Sequence, residues 1–393
     1  MRTQAYTLTM NVKAEVFMNK LKLMTIVGTR PEIIRLSEII KKCDLYFDHI
    51  LVHSGQNYDY ELNQIFFDEL NLRAPDYYLN AAKDNLGRTI GEIIAKSYEL
   101  MVELQPEAIL VLGDTNTALC TLAAKRLKIP IFHMEAGNRC FDENLPEETN
   151  RRIVDQVADV NLCYTEHARR YLNREGRPMQ RTYVTGSPIT EVLSVNKEGI
   201  DRSRVLEKLG LEERKYILLS AHREENIDID SNFDSLVASV NALTQKYNLP
   251  VIYSMHPRSR KMIEKRGIQL HPLVRPLIPF GFLDYNCLQR KALCVVSDSG
   301  TLPEEANFFK FPAVSIRTST ERPEALEKGN FIMGGIGERQ ILNAVAMAIA
   351  MNQRQDTGAD VPDYTDINVS QRIVNIIQSY TNEVNLFVWR KNQ

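Results

Sequence analysis

Short apolar runs alternate with amphipathic segments along most of this chain, and the runs end in polar loops. Short apolar runs bounded in this way are typical of buried strands. Between them, apolar residues recur at helical spacing, as at Ile33, Leu36 and Ile40. Predicted strands cover residues 21–27, 48–53, 108–112, 129–134, 160–164, 182–185, 216–220, 250–255, 293–297 and 312–316. The alternation of strand and helix predicts parallel, doubly wound α/β sheets.

The predicted elements divide into two halves, which suits a chain of 393 residues. We expect one doubly wound domain over residues 21–187 and a second over residues 188–366. An amphipathic helix within residues 367–393 follows the second domain, and residues 1–20 are expected to form an N-terminal extension. This extension contains no continuous apolar core, so a signal peptide is not predicted.

Composition and charge narrow the possible function classes. A net charge of -2 and a pI of about 6.4 argue against a general binder of nucleic acids or membrane surfaces. The six cysteines show no CxxC pairing, which favours a reducing, cytoplasmic setting. No apolar run approaches the length of a membrane span, and no metal-ligand spacing is evident. We therefore predict neither a metal nor another cofactor.

Three predicted strands of the first half are followed by charged side chains that could bind a ligand or transfer a proton. Arg30 follows the first strand, Asp114 follows Gly113 at the end of strand 108–112, and Glu135 follows strand 129–134. In open α/β sheets, ligands bind at the carboxyl ends of the strands. Asp114 could instead cap the next helix, and Arg30 could be a surface arginine. The convergence of three strand ends at one edge favours a functional site.

A predicted helix that begins near Pro146 adds more charged groups to this edge. Glu147 and Arg151 are four residues apart, so they share one face of the helix. Glu147 and Glu148 could also serve only to complement the helix dipole. We favour this purely structural role for Glu148.

Strand ends in the second half suit phosphate groups. A histidine and an arginine follow each of two predicted strands, His222 with Arg223 and His256 with Arg258, and both side-chain types can donate hydrogen bonds and positive charge to a phosphate. Ser299, Gly300 and Thr301 are predicted to place backbone amides and hydroxyls at a helix N-terminus, an arrangement that suits a diphosphate.

Two later parts of the second half complete this predicted binding site. Glu305 lies in the first turn of the helix, where a carboxylate can accept hydrogen bonds from two ribose hydroxyls. The polar loop after strand 312–316 contributes two cations, Arg317 and Arg322.

Seven motifs resemble those of the non-hydrolysing UDP-N-acetylglucosamine 2-epimerases and keep their order. They are GTRPE (28–32), GDTNT (113–117), HMEAGNR (133–139), PEETNR (146–151), SAHREEN (220–226), DSGTLPEEA (298–306) and TERPEA (320–325). Three segments are most similar to the branch that makes UDP-N-acetyl-L-fucosamine from UDP-2-acetamido-2,6-dideoxy-L-talose. These segments are HSGQNYDYELNQIFF (53–67), HMEAGNRCFDENLPEE (133–148) and GFLDYNCLQ (281–289).

The resemblance implies two Rossmann-like domains in a GT-B-like arrangement, with the active site in the interdomain cleft and the C-terminal helix packed on the first domain. It also implies a homodimer, a role in capsule or O-antigen synthesis, and epimerisation at C2 through loss and re-addition of UDP. The catalytic residues it implies are Asp114, Glu135, Glu147, Arg151 and His222. The implied substrate-binding residues are Arg30, Arg35, His256, Phe282, Ser299, Gly300, Glu305, Arg317 and Arg322.

The chain departs from the family pattern at two places. Residues 56–59 read Gln-Asn-Tyr-Asp where many bacterial members carry a QHRE-like motif of an allosteric site, so allosteric control is not implied. Arg35 replaces the family's lysine, which keeps the charge but changes the geometry. Alternative functions are a UDP-N-acetylglucosamine 2-epimerase, a GT-B glycosyltransferase and a nucleotide-sugar binding protein without catalysis. The acids Asp114, Glu135 and Glu147 argue against the last.

Overall fold

The computed structural model describes residues 19–55 and 60–391 of the chain. The first sheet has seven parallel strands in the order β3-β2-β1-β4-β5-β6-β7. The strands are β1 (Lys22–Val27), β2 (Asp48–His53), β3 (Tyr77–Tyr78), β4 (Ala108–Leu112), β5 (Ile131–Met134), β6 (Val160–Cys163) and β7 (Thr182–Val184). Strand order reverses between β1 and β4, which is the doubly wound topology expected from the sequence.

The helices of this half connect successive strands. They are α1 (Arg30–Tyr46), α2 (Tyr60–Glu69), α3 (Leu86–Leu104), α4 (Thr121–Arg126), α5 (Pro146–Val157), α6 (Glu166–Arg174) and α7 (Pro188–Val195). Short 3-10 turns cover Asn116–Cys120 and Met179–Arg181. The proline that begins α5 lacks the amide that a first helical turn leaves unpaired, so it suits that position.

The second sheet has six parallel strands in the order β10-β9-β8-β11-β12-β13. The strands are β8 (Ile217–Ala221), β9 (Val251–Met255), β10 (Val274–Leu277), β11 (Cys294–Ser297), β12 (Ala313–Ser315) and β13 (Ile332–Met333). The order again reverses, here between β8 and β11, so the sequence prediction of a second doubly wound sheet is confirmed.

The remaining helices surround this sheet or follow it. They are α8 (Lys197–Arg202), α9 (Val205–Leu209), α10 (Glu224–Ile227), α11 (Asp230–Tyr247), α12 (Pro257–Arg266), α13 (Phe282–Lys291), α14 (Leu302–Phe309), α15 (Pro323–Glu327), α16 (Glu338–Gln353) and α17 (Val369–Glu383). A 3-10 turn covers Pro362–Tyr364, and a π-helical turn covers Val384–Val388. None of the helices in the described part of the chain is long and apolar enough to cross a membrane.

Apolar packing joins the two sheets. The largest buried cluster includes Leu23 and Leu110 of the first sheet and Leu218 and Val295 of the second. The helices α1, α7, α14 and α17 pack between them, with α17 lying against α1 and α7. Arg372 Nη1 in α17 also donates to the carbonyl of Thr185 at 3.1 Å. The carboxyl ends of both sheets are thereby held facing each other.

Three strands were not predicted from the sequence, namely β3, β10 and β13. Each is the outermost strand of its sheet. An edge strand need not be a buried apolar run, and both residues of β3 are exposed. The boundaries predicted at 187/188 and 366/367 stay predictions. Residues 1–18 of the predicted extension and residues 56–59, where the allosteric motif differs, lie outside the described residues.

Candidate functional site

The carboxyl ends of the two sheets line a cleft that contains a cavity of about 250 Å³. Both domains line it, and so do most of the residues that the sequence predicted. The predicted residues in its lining are Arg30, Arg35, Asp114, Glu135, Glu147, Arg151, His222, Phe282, Ser299, Gly300, Glu305 and Arg322. The sequence prediction of one convergent site is therefore matched by a single cleft between the domains.

Glu135 lies on the turn that follows β5. Its φ of 63° is left-handed, a conformation that few residues other than glycine adopt. Its carboxylate forms ion pairs with Arg35 and, at 2.6 Å, with Arg322 Nη2. Burial would raise the pKa of Glu135, but Arg35 and Arg322 lower it below its usual range. Glu135 is therefore held as an anion in contact with cations from both domains.

A glycine brings Glu135 close to the turn that carries Asp114. Gly113 has a φ of 74°, and a Cβ built on it would lie 3.1 Å from Glu135 Oε2. A side chain at position 113 would therefore strain the backbone and crowd the carboxylate. The glycine allows the ends of β4 and β5 to present two acids to one space.

Asp114 is oriented by Arg151 of α5. Arg151 donates from Nε and Nη2 to Asp114 Oδ2 at 2.9 and 2.5 Å. The same guanidinium donates from Nη1 to Glu148 at 3.0 Å. Glu148 is fully buried, lies outside the cavity lining and also accepts from Arg152. These contacts fit the structural role favoured for Glu148 from the sequence.

Glu147 differs from the other two acids of the first domain. It is half-buried in the cavity wall, and its carboxylate forms no ion pair with any side chain that the structure describes. Burial raises the pKa of Glu147, and the nearby Asp114 carboxylate raises it further. Glu147 therefore carries a proton more readily than Glu135 does.

Glu32 also lines the cavity, although the sequence analysis did not select it. Its Oε2 accepts from the amides of Gly28 and Thr29 at 2.9 and 2.7 Å, and its Oε1 accepts from Thr115 Oγ1 at 2.9 Å. Burial raises the pKa of Glu32 to about 7, although these hydrogen bonds lower it. The spacing Thr29-x-x-Glu32 is a capping box, which was the signal available in the sequence.

The second domain presents backbone groups and hydroxyls to the cavity at residues 299–301, just before α14. A Cβ built on Gly300 would lie 3.8 Å from Arg35 Nη2 and 3.9 Å from Arg223 Nη2. Guanidinium groups from the two domains thus face the same glycine. We call residues 299–301 with Arg35 and Arg223 the diphosphate cradle, because amides and guanidinium groups together suit a diphosphate.

Asp298 fixes His222 beside this cradle. Asp298 is fully buried, and its Oδ2 accepts from the amides of His222 and Arg223, both at 2.9 Å. Its Oδ1 lies 2.9 Å from His222 Nδ1. Burial would raise the pKa of Asp298, but His222 and these hydrogen bonds lower it. The imidazole is thereby directed into the cavity with a carboxylate behind it.

Glu305 is buried at the start of α14. It accepts from Gln289 Nε2 at 2.6 Å and from Thr301 Oγ1 at 2.8 Å. Burial raises its pKa despite these hydrogen bonds. Its neighbour Glu304 lies outside the cavity lining and instead pairs with Arg322 Nε at 3.2 Å.

The structure places two of the predicted substrate-binding residues away from the cavity lining. His256 accepts from the amide of Arg258 at 3.3 Å and caps α12. Arg317 donates from Nη1 and Nη2 to Glu321 at 2.6 and 2.8 Å. Both predictions relied on finding a charged or hydrogen-bonding residue just after a strand. That position alone does not determine whether the side chain enters the cavity, caps a helix or pairs with a neighbouring residue.

Cavity residues that the sequence analysis did not select include Phe66, Ser220, Ser254, Phe280, Tyr285 and Glu321. Arg223, the arginine of the predicted His-Arg pair, lines the cavity together with His222. Glu321 occurs within the motif TERPEA, so its motif was visible in the sequence. Its role was not, because it depends on a contact with Arg151 of the other domain. In the described part of the chain, no group of three or more His, Cys, Asp or Glu side chains is placed to hold a metal ion.

Two parallel α/β sheets around a cleft with a diphosphate cradle define a GT-B-like class of proteins that handle nucleotide-sugars. The family model for UDP-N-acetylglucosamine 2-epimerase matches residues 41–378. A UDP-N-acetylglucosamine 2-epimerase structure from Rickettsia bellii has a TM-score of 0.88 and 46% identity, covering 95% of this chain and 100% of that one.

Two archaeal enzymes extend this similarity. The UDP-N-acetylglucosamine 2-epimerase of Methanococcus maripaludis is 34% identical over 365 residues, which cover 91% of this chain and 98% of its own. The Methanocaldococcus jannaschii UDP-GlcNAc 2-epimerase, solved with UDP-GlcNAc and UDP, has a TM-score of 0.85 and 31% identity, covering 91% of this chain and 100% of that one.

The chain therefore belongs to the UDP-N-acetylglucosamine 2-epimerase family. It is a non-hydrolysing UDP-sugar 2-epimerase with two Rossmann-like domains in the GT-B-like arrangement. The fold class and the enzyme class predicted from the motifs are both confirmed.

Proposed function

We propose that the cleft epimerises C2 of a UDP-N-acetyl sugar by eliminating UDP and adding it back. The observation that carries this proposal is the meeting of three first-domain acids, Asp114, Glu135 and Glu147, with the diphosphate cradle in one cavity. A protein that only bound the anionic nucleotide would gain little from acids placed there. A glycosyltransferase would need an acceptor pocket rather than several acids.

The elimination breaks two bonds at neighbouring carbons. The C2 proton passes to a carboxylate, its electron pair forms the C1=C2 bond of a 2-acetamidoglycal, and UDP leaves with the C1–O electrons. The C2 proton is not acidic, since no carbonyl is attached to that carbon directly. Departure of the diphosphate must therefore drive the step. Arg35, Arg223 and the amides of residues 299–301 are placed to stabilise the charge that develops there.

Re-addition reverses these changes from the other face of C2. A proton returns to C2, the double bond is lost, and the β-phosphate oxygen of UDP attacks C1. Two faces require more than one acid–base group. We propose that Glu147 carries a proton and that the arginine-paired Glu135 acts as an anion, because the pKa of Glu147 is raised and that of Glu135 is lowered. Arg151 holds the Asp114 carboxylate in the same cavity.

The substrate that we propose first is UDP-2-acetamido-2,6-dideoxy-L-talose, which would yield UDP-N-acetyl-L-fucosamine for capsule or O-antigen synthesis. The segments at 53–67, 133–148 and 281–289 support this branch by their resemblance. Apolar side chains in the cavity lining, including Ile34 and Phe66, suit a sugar that has a methyl group at C5. A second candidate is UDP-N-acetylglucosamine, which is favoured by the names of the similar enzymes.

Proton NMR in D2O with each UDP-sugar separately tests both parts of the proposal. Deuterium at C2 together with a new epimer is the expected result, and the substrate with the larger kcat/KM identifies the branch. Absence of exchange with both sugars, combined with UDP release only when a sugar acceptor is added, would support a glycosyltransferase instead. The predicted cytoplasmic location and homodimer stay proposals, which fractionation and light scattering would test.

A further inference from the structure

A buried carboxylate of the second domain, Glu321, reaches across the cleft to Arg151 of the first. Glu321 lies between β12 and α15 and is only 6% exposed. Arg317 holds both of its oxygens, so the carboxylate has a fixed orientation. Burial would raise the pKa of Glu321, but Arg317, Arg223 and Arg151 lower it well below its usual range.

The contact with the first domain is made through Arg151. Arg151 Nη2 lies 3.4 Å from Glu321 Oε1 and 2.5 Å from Asp114 Oδ2. One nitrogen therefore lies between a carboxylate of each domain. Glu321 Oε1 also lies 3.7 Å from Arg223 Nη2, which belongs to the diphosphate cradle.

The next residue makes the opposite kind of contact. Arg322 Nη2 lies 2.6 Å from Glu135 Oε1, across the same cleft. Residues 321 and 322 thus contact a first-domain cation and a first-domain anion respectively. Because these residues are adjacent, a single movement of their loop relative to the first domain would change the surroundings of both Asp114 and Glu135.

We propose that Glu321 is a positioning residue for the epimerisation. It fixes the Arg151 guanidinium, and through it the Asp114 carboxylate, in the position that both have in this arrangement of the two domains. The inference rests on the proposed function. The physical reason is that Arg151 pairs with two carboxylates of its own domain, Asp114 and Glu148. A third carboxylate, Glu321 of the other domain, then determines how the guanidinium is oriented between those two.

The first test compares Glu321→Gln with Glu321→Asp. For Glu321→Gln we expect kcat to fall roughly 10- to 100-fold, which is typical of lost support behind a reacting group, with the Kd for UDP changed by less than about 3-fold. Glu321→Asp keeps the charge and should recover part of kcat. Thermal unfolding of each variant verifies that the protein is folded.

Glu191→Gln serves as the matched control. Glu191 is also a buried glutamate that accepts two hydrogen bonds, from Ser370 N at 2.7 Å and Ser370 Oγ at 2.6 Å, but it does not line the cavity. This change should lower the unfolding temperature without changing kcat. The control separates a general effect of removing a buried charge from an effect on the reaction.

A double-mutant cycle tests whether Glu321 acts through Arg151. If it does, Glu321→Gln should reduce kcat little further in an Arg151→Lys background, because the guanidinium it orients is already absent. Losses that multiply in the double variant would overturn the proposal. So would a fall in UDP affinity as large as the fall in kcat, since Glu321 would then act on nucleotide binding.

Wild-type turnover measured in the same assay separates this inference from the proposed function. If the wild-type protein epimerises neither UDP-sugar, the proposed function is wrong and the inference fails with it. If the wild type turns over normally and Glu321→Gln matches it, only the inference about Glu321 is wrong.

Discussion

The two walls of the cleft carry different chemistry, although both are built at the carboxyl ends of doubly wound sheets. The first-domain wall presents the acids Asp114, Glu135 and Glu147, whereas the second presents residues 299–301 and Glu305. The same topology thus places carboxylates on one side and backbone amides and hydroxyls on the other, to which the first domain adds Arg35. The difference comes from the few residues after each strand, which the sheet itself does not constrain.

The largest effect should come from removing an acid of the first wall. We expect Glu135→Gln to lower kcat by about 1000-fold, since a positioned acid–base group contributes roughly 100- to 10,000-fold. We expect UDP binding to change less than kcat, because most of the groups proposed to bind the nucleotide, residues 299–301, Arg223 and Glu305, belong to the second domain. Deuterium exchange at C2 and UDP calorimetry provide the two measurements. A variant that keeps its kcat would remove Glu135 from proton transfer.

His222 tests whether the second-domain wall only binds UDP or also stabilises UDP as it leaves. Because the imidazole lies beside the diphosphate cradle, with Asp298 behind it, we expect it to stabilise the leaving UDP. His222→Ala should then lower kcat about 100-fold, as loss of one such donor does elsewhere. The Kd for UDP should rise far less. If the Kd for UDP rises by as large a factor as kcat falls, His222 contributes to UDP binding alone.

Glu305 should behave as a nucleotide-binding residue. Glu305→Gln is expected to weaken UDP binding by about 10-fold, because a charge-assisted hydrogen bond is lost. 2′-Deoxy-UDP provides the control. The wild-type protein should prefer UDP to the deoxynucleotide, and the variant should lose that preference. If the variant still discriminates between them, Glu305 does not contact the 2′-hydroxyl.

The smallest effect concerns stability of the first wall. The pKa of Glu32 is about 7 in the folded protein against an ordinary value of 4.5, so the folded state binds its proton more tightly than the unfolded chain does. The stabilisation from Glu32 is complete below about pH 4.5 and is lost as the pH rises towards 7. Urea unfolding at pH 5 and pH 8 checks this prediction.

In that experiment the free energy of unfolding of wild type, relative to Glu32→Gln, should be larger at pH 5 than at pH 8. Glutamine suits the comparison because its amide oxygen can still accept from the Gly28 and Thr29 amides while Thr115 accepts from its nitrogen. A difference between the two proteins that does not depend on pH would contradict the raised pKa.

The buried centres of both sheets and the edge strand β7 could be predicted from the sequence, but the other three edge strands could not. Strands such as Ala108–Leu112 are buried along their whole length and therefore read as apolar runs. Tyr77–Tyr78 and Ile332–Met333 have only two residues each, and Val274–Leu277 contains an exposed arginine and proline. These strands exist because a neighbouring strand offers unpaired backbone groups, a cause that lies outside the segment itself.

Among the site residues too, those placed by local sequence could be predicted, and those placed by contacts with distant residues could not. Asp114 and Glu135 could be predicted because each directly follows a buried strand, so its place depends on local sequence. Glu321 could not, because its place in the site depends on a contact with Arg151 of the other domain, 170 residues away. His256 was placed in the site for its charge, although a strand end followed by proline also suits a helix cap, which is its observed role.

The most direct test of the account follows an oxygen label. The UDP-sugar is prepared with ¹⁸O in the bridge between C1 and the β-phosphate, and incubated with the enzyme in D2O. If the C1–O bond breaks during epimerisation, the label will move from the bridge to non-bridging positions of the β-phosphate, and deuterium will enter C2. Glu135→Gln should lose both changes. Deuterium at C2 without movement of ¹⁸O would contradict the account, since the proton would then leave without departure of UDP.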